Sequence, residues 1–492
     1  MQTDVLVIGA GTAGCVIARR LLDAGLSVVL IEAGDDNPNP AISDPVRMHE
    51  LWDTSADWGF RTVPQEFAHE RRLHLPRGKV VGGSHALNAM IWVRGHPADY
   101  DTWAYLGNSE WSWASVRPVF EQSEKMLDLV TSFEPHPVQR AAVVAAGQRG
   151  LPFNPDYNTG QLDGVSYVQL TLRDGRRLTT AQAYLEPVRT DARLRLLTAA
   201  QVRRLRFDGS RCTGVEYVKD GEIEQVTAGR TVLCAGALGS SVLLARSGVG
   251  DPDASVALGL PVIAPLRGVG RNLQDHWLVP VVLGVDRPVE PLPGLPVCQS
   301  HLFWRSRPEL VVPDLQPLIF GVPLTAEWMQ APKHGITLMA GLVRPASRGC
   351  VRVISADPEV APVIDPRVLS APEDLDGLVA AVRLCREIAG QSALREDWGA
   401  REIYPASLGA STSLLQDYVR ETVVTYHHQS GTCAMGAGED AVVDQRLQVH
   451  GVEGLMVADA SVMPTITTGN TNAPVVMIAE RAATLLLTGA LA

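Results

Sequence analysis

At 492 residues the chain is longer than one hydrophobic core usually supports, so about two or three domains are expected. Apolar content of 46% and charged content of 20% suit a globular protein and exclude a disordered or fibrous one. The 43 basic and 54 acidic residues leave a net charge of −11 with no basic block, which argues against nucleic acid or an anionic membrane as partner. Seven scattered cysteines without C-x-x-C spacing argue against a disulfide framework or a zinc site and suit a reducing compartment. The first strand begins too near Met1 to leave room for a signal peptide, and no apolar run reaches the roughly 18 residues of a membrane span. The expected location is the cytoplasm.

Val5-Leu6-Val7-Ile8 is an apolar run of strand length, followed without a break by Gly9-Ala10-Gly11-Thr12-Ala13-Gly14. Cys15 to Leu22 carries helical apolar spacing, and Val28-Leu30-Ile31 forms a second strand that ends at Glu32. This is a βαβ dinucleotide unit. Gly9 permits the tight turn, Gly11 lets the backbone approach a pyrophosphate, and Gly14 lets helix pack on strand. Thr12 and Ala13 open the helix, whose free N–H groups and positive end suit phosphate. Glu32 lies 18 residues after Gly14, where a carboxylate accepts hydrogen bonds from an adenosine ribose. A 2′-phosphate would be repelled there, so FAD or NAD is expected, and Ala33 follows at the same edge.

The segment from Asp35 to His69 reads as a long loop punctuated by Trp52, Trp58 and Phe60. Arg77 to Asn88 holds a second glycine pair, Gly82-Gly83, which suggests another close backbone approach, and Asn88 can hydrogen-bond a polar ring edge. A helix over 86–93 is expected after it. A further helix is expected over 116–126, with Pro118 in its first turn. Val351 to Ser355 alternates like a strand, and Glu373 to Ala389 has the spacing of a helix packed on a sheet. There are no repeats, low-complexity tracts or flexible linkers.

Arg77 to Gly95, reading RGKVVGGSHALNAMIWVRG, resembles the first signature of the glucose–methanol–choline (GMC) oxidoreductases. Gly236 to Gly250 resembles the second, with Ser241 where proline is usual. Val269 to His276 and the tail from Asp459 to Glu480 are similar as well, so the resemblance runs from about residue 5 to 485. It implies an α/β fold: a Rossmann-like FAD-binding domain interwoven with an α+β substrate domain built on a mostly antiparallel sheet. The FAD-binding part would comprise 1–100, 160–280 and 436–492; 101–159 and 281–435 would form the substrate domain and lid. It further implies FAD contacts at Arg77, Gly82, Gly83, Asn88, Val202, Ala235, Asp459, Ala460 and Asn470. For Val202 and Ala235 an ordinary core position is nearly as good a reading. Family members with covalent flavin use a histidine that falls at Leu87 here, so noncovalent FAD is expected, with His85 standing nearby.

Oxidising an alcohol removes a proton from oxygen and a hydride from carbon, and a histidine suits the first task. Tyr426 to Gly436 resembles the family's H-P-V-G-T-x-x-M-G stretch, which makes His428 the base, with Gln429 and Ser430 replacing Pro-Val. His427 would face the other way on an extended segment and serve as a substrate contact. A His-His pair could instead hold a metal, but no third ligand is suitably spaced, so no metal is expected. Asn472 matches the family's second active-site position, where it would hydrogen-bond the substrate oxygen or cap the helix that follows. Arg94 is a substrate-side candidate, with an ion pair the likelier role for its guanidinium.

The leading expectation is FAD-dependent oxidation of a small or medium alcohol, either a primary or aromatic alcohol or a sugar or glycoside hydroxyl. O2 or another acceptor would reoxidise the flavin. The alternatives are an FAD-containing hydroxynitrile lyase of the same fold and a flavin-binding protein without catalysis.

Overall fold

The computed structural model describes residues 2–36, 39–409 and 411–489. Strand β1 (Gln2–Ile8), helix α1 (Thr12–Asp23) and strand β2 (Val28–Ile31) form the expected βαβ unit. β1 and β2 run parallel, with Val5 beside Val28 and Ile8 beside Ile31. Both are apolar on both faces because helices and strands cover the sheet on each side. The first sheet continues outward from β2 to Leu194–Leu197 and, on the other flank, from β1 to Glu222–Leu233. That long strand does two jobs. Its second half pairs in parallel with β1 and with Leu455–Val457, while its first half turns back on Arg211–Lys219, which pairs with Ala200–Asp208 as an antiparallel arm.

Gly14 allows this geometry. A Cβ there would stand 1.9 Å from the Gly9 carbonyl oxygen, a backbone atom that cannot yield. Gly14→Ala is expected to destabilise the protein by about 1–3 kcal/mol, as overpacking does. The readout is the Tm; an unchanged Tm would show that α1 can lift off β1 without cost.

The second sheet is antiparallel throughout, in the spatial order 401–404, 277–284, 335–342, 318–320, 298–303, 164–167. Helix Pro372–Ala389 covers one face, its Leu378, Val382, Cys385 and Ile388 buried with Val279, Val281, Leu338 and Ala340. The opposite face carries Leu278, Leu318, Phe320 and Met339. Strand periodicity of two separates these sets cleanly.

Several boundaries differ from those read in the sequence. Gly164–Tyr167, expected in the FAD-binding part, pairs with Cys298–Phe303 in the second sheet. Trp103, Trp111 and Phe120, expected in the lid, are fully buried in the core of the first sheet, so only the later part of 101–159 packs on the second. Helix Trp113–Leu127 starts three residues early, which leaves Pro118 inside it. The short strand Cys350–Arg352 pairs only with Val363–Asp365, apart from the large sheet.

The expected helix over 86–93 is absent. A single 3-10 turn, Gly83–Ala86, is followed by Met90 at φ 63° and by extended chain locked to 168–171, with Trp92 N–H donating to Gln169 O at 2.8 Å. Consecutive apolar residues here are buried on every side by tertiary contacts, a pattern helical and extended chains share. No described helix is long and apolar enough to cross a membrane.

Candidate active site

A cavity of about 1710 Å3 is lined by residues of both sheets. Small-ligand sites usually measure about 300–1,000 Å3, so this space suits a dinucleotide with room beside it. Its two ends differ in chemistry.

At the first end, Gly9, Gly11, Thr12, Ala13, Glu32, Ala33 and Val202 line the wall. No side chain caps α1, so its first N–H groups are left for a ligand. Gly83 has φ +54°, and a Cβ on it would stand 2.6 Å from Gly11 Cα. Two backbones thus approach across the cavity with no side chain between them, as a diphosphate requires. Glu32 accepts Ala10 N–H at 2.9 Å and Gly34 N–H at 3.0 Å, while burial pushes its carboxyl up to about 7. Ala235, Asp459, Ala460, Arg77 and Asn88 line the space further along. Asp459 accepts from Gly236 N–H, Ser240 Oγ and Ser461 N–H, tying the carboxy-terminal tail to the helix Gly236–Arg246.

Three expected contacts sit differently. Gly14 and Gly82 do not line the cavity; Gly14 serves packing, and Gly82 sets the turn at φ +101°. Asn88 Oδ1 accepts from Arg177 Nη1 at 2.8 Å, a guanidinium buried without a carboxylate partner that the sequence reading missed.

At the other end stands His428, with its ring stacked on Tyr426 at 4.6 Å. Its backbone N–H donates to Asp275 Oδ1 at 2.8 Å, and Asp275 also takes Thr425 and Gln429. Burial raises the Asp275 carboxyl to about 6, against those hydrogen bonds and the Arg77 charge. His428 Nε2 lies 3.3 Å from Asn470 Nδ2, and His428 Nδ1 lies 2.9 Å from His276 Nδ1. Asn470 Oδ1 accepts from Gln316 Nε2 at 3.0 Å, which orients its amide nitrogen toward His428. The network therefore assigns the lone pair of His428 to Nε2 and its proton to Nδ1, donated to His276. Burial, then His276, His427 and Arg77, hold the His428 proton affinity well below the usual imidazole range. The ring is neutral at physiological pH.

Asn470 and Asn472 thus exchange expected places. Asn472 accepts from Thr12 Oγ1 at 2.9 Å and lies 3.4 Å from His85 Nε2, away from His428. Nor does it cap a helix: Asn472–Thr488 begins with Asn472, and Thr471 holds the cap position. The two asparagines are separated by one residue, and the turn into this helix sends their side chains to different partners.

His427 does not alternate with His428 on an extended strand. At φ +68° it is left-handed; its ring packs 5.1 Å from Trp52, and its carbonyl accepts from Arg77 at 2.7 Å. It lines the same cavity, with burial pushing its proton affinity down to about 3. Arg94 does not line the cavity. It forms a two-pronged ion pair with Glu124, at 2.7 and 2.5 Å. His85 is buried, accepting Thr180 N–H at Nδ1 and meeting Thr171 Oγ1 at Nε2, while Leu87 faces the cavity. The sequence reading also passed over Asp275, His276 and Gln316. The first two close the Val269–His276 motif and were legible as adjacent titratable residues; Gln316 carried no signal.

One described cluster, Asp53, Asp57 and His74, has oxygen and nitrogen atoms close enough for a metal. Asp57 there already accepts from the Asp53, Gly59 and Arg77 backbones, and Asp53 pairs with Arg61.

A dinucleotide cleft that opens onto a neutral histidine held against an asparagine defines a cofactor-dependent oxidoreductase. Family models of the GMC oxidoreductases match residues 3–278 and 345–479. An uncharacterized GMC-type oxidoreductase of Mycobacterium tuberculosis is 37% identical, over 99% of both chains. The mitochondrial choline dehydrogenase of Mus musculus is 36% identical over 98% of this chain and 89% of its own. The crystal structure of pyridoxine 4-oxidase from Mesorbium loti superposes with a TM-score of 0.94 at 34% identity, covering 99% of both chains. The chain belongs to the GMC oxidoreductase family, and its cofactor is FAD.

Proposed function

We propose that the enzyme oxidises the hydroxyl of an alcohol, with His428 as general base and Asn470 as hydrogen-bond donor to the reacting oxygen. The observation that carries this reading is Nε2 of His428 held 3.3 Å from the Asn470 amide, inside the cavity. A hydroxyl placed between the two would donate to Nε2 and accept from Nδ2, and the proton would pass to Nε2 as the C–H bond breaks. Bound FAD supplies the hydride acceptor. His276 holds the ring in the required tautomer through Nδ1, and Asp275 fixes the backbone beneath it. Gln316 fixes the rotamer of Asn470. The reported relatives that carry an activity in their names, a choline dehydrogenase and a pyridoxine 4-oxidase, are named for redox chemistry on hydroxyl compounds. Nothing in the site favours the lyase reading over this one.

The reading takes FAD as noncovalent. Leu87 offers no nucleophile, and both ring nitrogens of His85 are engaged within the protein.

The test is anaerobic bleaching of the oxidised flavin band by alcohols, followed by readmission of air. Asn470→Ala should slow bleaching about ten- to a hundred-fold, the worth of a hydrogen bond to a developing charge of about 1.5–3 kcal/mol. Asn472→Ala should change the bleaching rate far less. The opposite ranking would return the second position to Asn472. Rapid recovery in air would mark an oxidase, and slow recovery a dehydrogenase.

A further inference from the structure

Part of the cavity wall is the face of the second sheet opposite helix Pro372–Ala389, and that face packs elsewhere on Met90–Val93 and Val168–Leu172. Pro280, Met339 and Leu318 sit side by side across three strands, and Leu278 and Phe320 flank them on the same face. All five line the cavity. The same face carries Gln316, whose amide holds Asn470, in register with Gly341. Tyr426, stacked on His428, hydrogen-bonds the Gln316 carbonyl at 3.1 Å and closes the corner between base and wall. An alcohol whose hydroxyl reaches the pair must therefore lay the rest of its body along this row.

The row offers almost nothing polar. Charged residues lining the cavity come from segments 32–79 and 203–246 and from Glu359 and Asp459, apart from Glu327, which is exposed at the rim. A quaternary ammonium group would find no buried carboxylate here. Each sugar hydroxyl buried without a partner would cost about 1–3 kcal/mol.

We propose that this face binds the apolar body of an uncharged alcohol, straight-chain or aryl, and that sugars, glycosides and cationic or zwitterionic alcohols are poor substrates. The proposal rests on the alcohol-oxidation reading above and adds the substrate class to it. The FAD-loaded enzyme would be mixed anaerobically with 1-propanol, 1-butanol, 1-hexanol, 1-octanol and benzyl alcohol, and separately with choline, pyridoxine and methyl glucoside. The second-order rate of flavin bleaching should rise about four-fold per added methylene, the factor that burial of one CH2 carries, until the chamber is filled. Benzyl alcohol separates an aryl preference from a chain preference. Leu318→Thr, with flavin content matched, should lower the 1-hexanol rate about ten-fold and the 1-propanol rate by less, so that the chain-length slope flattens. A flat chain-length series, or choline, pyridoxine or the glucoside as the best substrate, overturns the proposal and leaves alcohol oxidation standing. An unchanged chain-length slope in Leu318→Thr also overturns it. Failure of every compound to bleach a fully loaded flavin overturns the oxidation reading, and the proposal with it.

Discussion

His428→Ala is expected to slow flavin reduction by alcohol about 10²–10⁴-fold, the usual worth of a general base, while the purified protein keeps its flavin. His428 is the only side chain whose unprotonated nitrogen meets Asn470 in the described structure, and its other nitrogen is committed to His276. The remaining histidines near the site are unsuited: His276 does not line the cavity and meets His428 through Nδ1, His85 is held by Thr180 and Thr171, and His427 packs on Trp52. The pH dependence carries a sign that can be checked. Burial and neighbouring positive groups lower the proton affinity of His428, so the basic form persists below the ordinary pH of about 6.5 for imidazole. The rate of bleaching by a saturating alcohol should stay level from pH 8 down past 6.5 and fall only at lower pH. A loss under ten-fold in His428→Ala would move the base to another group. An acid limb centred at or above pH 6.5 would show that the bound cofactor reverses the effect of burial.

Gly83→Ala is expected to yield protein with little bound flavin. Gly83 has two reasons to lack a side chain: its φ of +54° strains any L residue, and its Cβ would lie 2.6 Å from Gly11 Cα. The atom met is backbone in the phosphate turn, so one of the two loops must move, and both are anchored. Gly82 N–H donates to Ala10 O at 2.8 Å, and Gly83 N–H donates to Val80 O at 2.7 Å. Strain of about 1–3 kcal/mol would weaken FAD binding by roughly 5- to 150-fold. The ratio of flavin to protein absorbance after purification reads this directly, and titration of the stripped protein with FAD gives the Kd. Full flavin occupancy with wild-type Kd would mean that the Gly11–Gly83 approach is no part of the cofactor cradle. Thermal melts of wild type and variant, each stripped of flavin, separate lost binding from lost folding.

The nucleotide end of the site was legible in the sequence because its signals are local. A strand, a glycine turn and a helix lie within about thirty residues, and Gly9 and Gly14 answer a φ and a clash that the backbone alone imposes. Glu32 is found by counting along the same unit. The second glycine pair was visible for the same reason, although the chain that follows it is not the helix its apolar residues suggested. His428 was reached through the resemblance of its segment, and its partner through that of a neighbouring one. That resemblance named Asn472, two positions from the Asn470 that meets His428.

That slip marks where the sequence runs out. Asn470 and Asn472 are equal candidates as letters, and both line the cavity. They part only because Gln316, more than 150 residues away, grips one, while Thr12 at the start of α1 grips the other. The His427–His428 pair divides in the same way, through a left-handed residue held by the Arg77 guanidinium on its carbonyl. By itself the sequence determined the βαβ cofactor-binding unit, which rests on short-range spacing, while its longer motifs carried the resemblance to the family and nominated His428 as the base. Tertiary structure alone brought His428 beside Asn470 and His276 and turned an apolar face of the second sheet toward the cavity. Those depend on hydrogen bonds and strand registers between residues far apart in the chain, which no local pattern encodes.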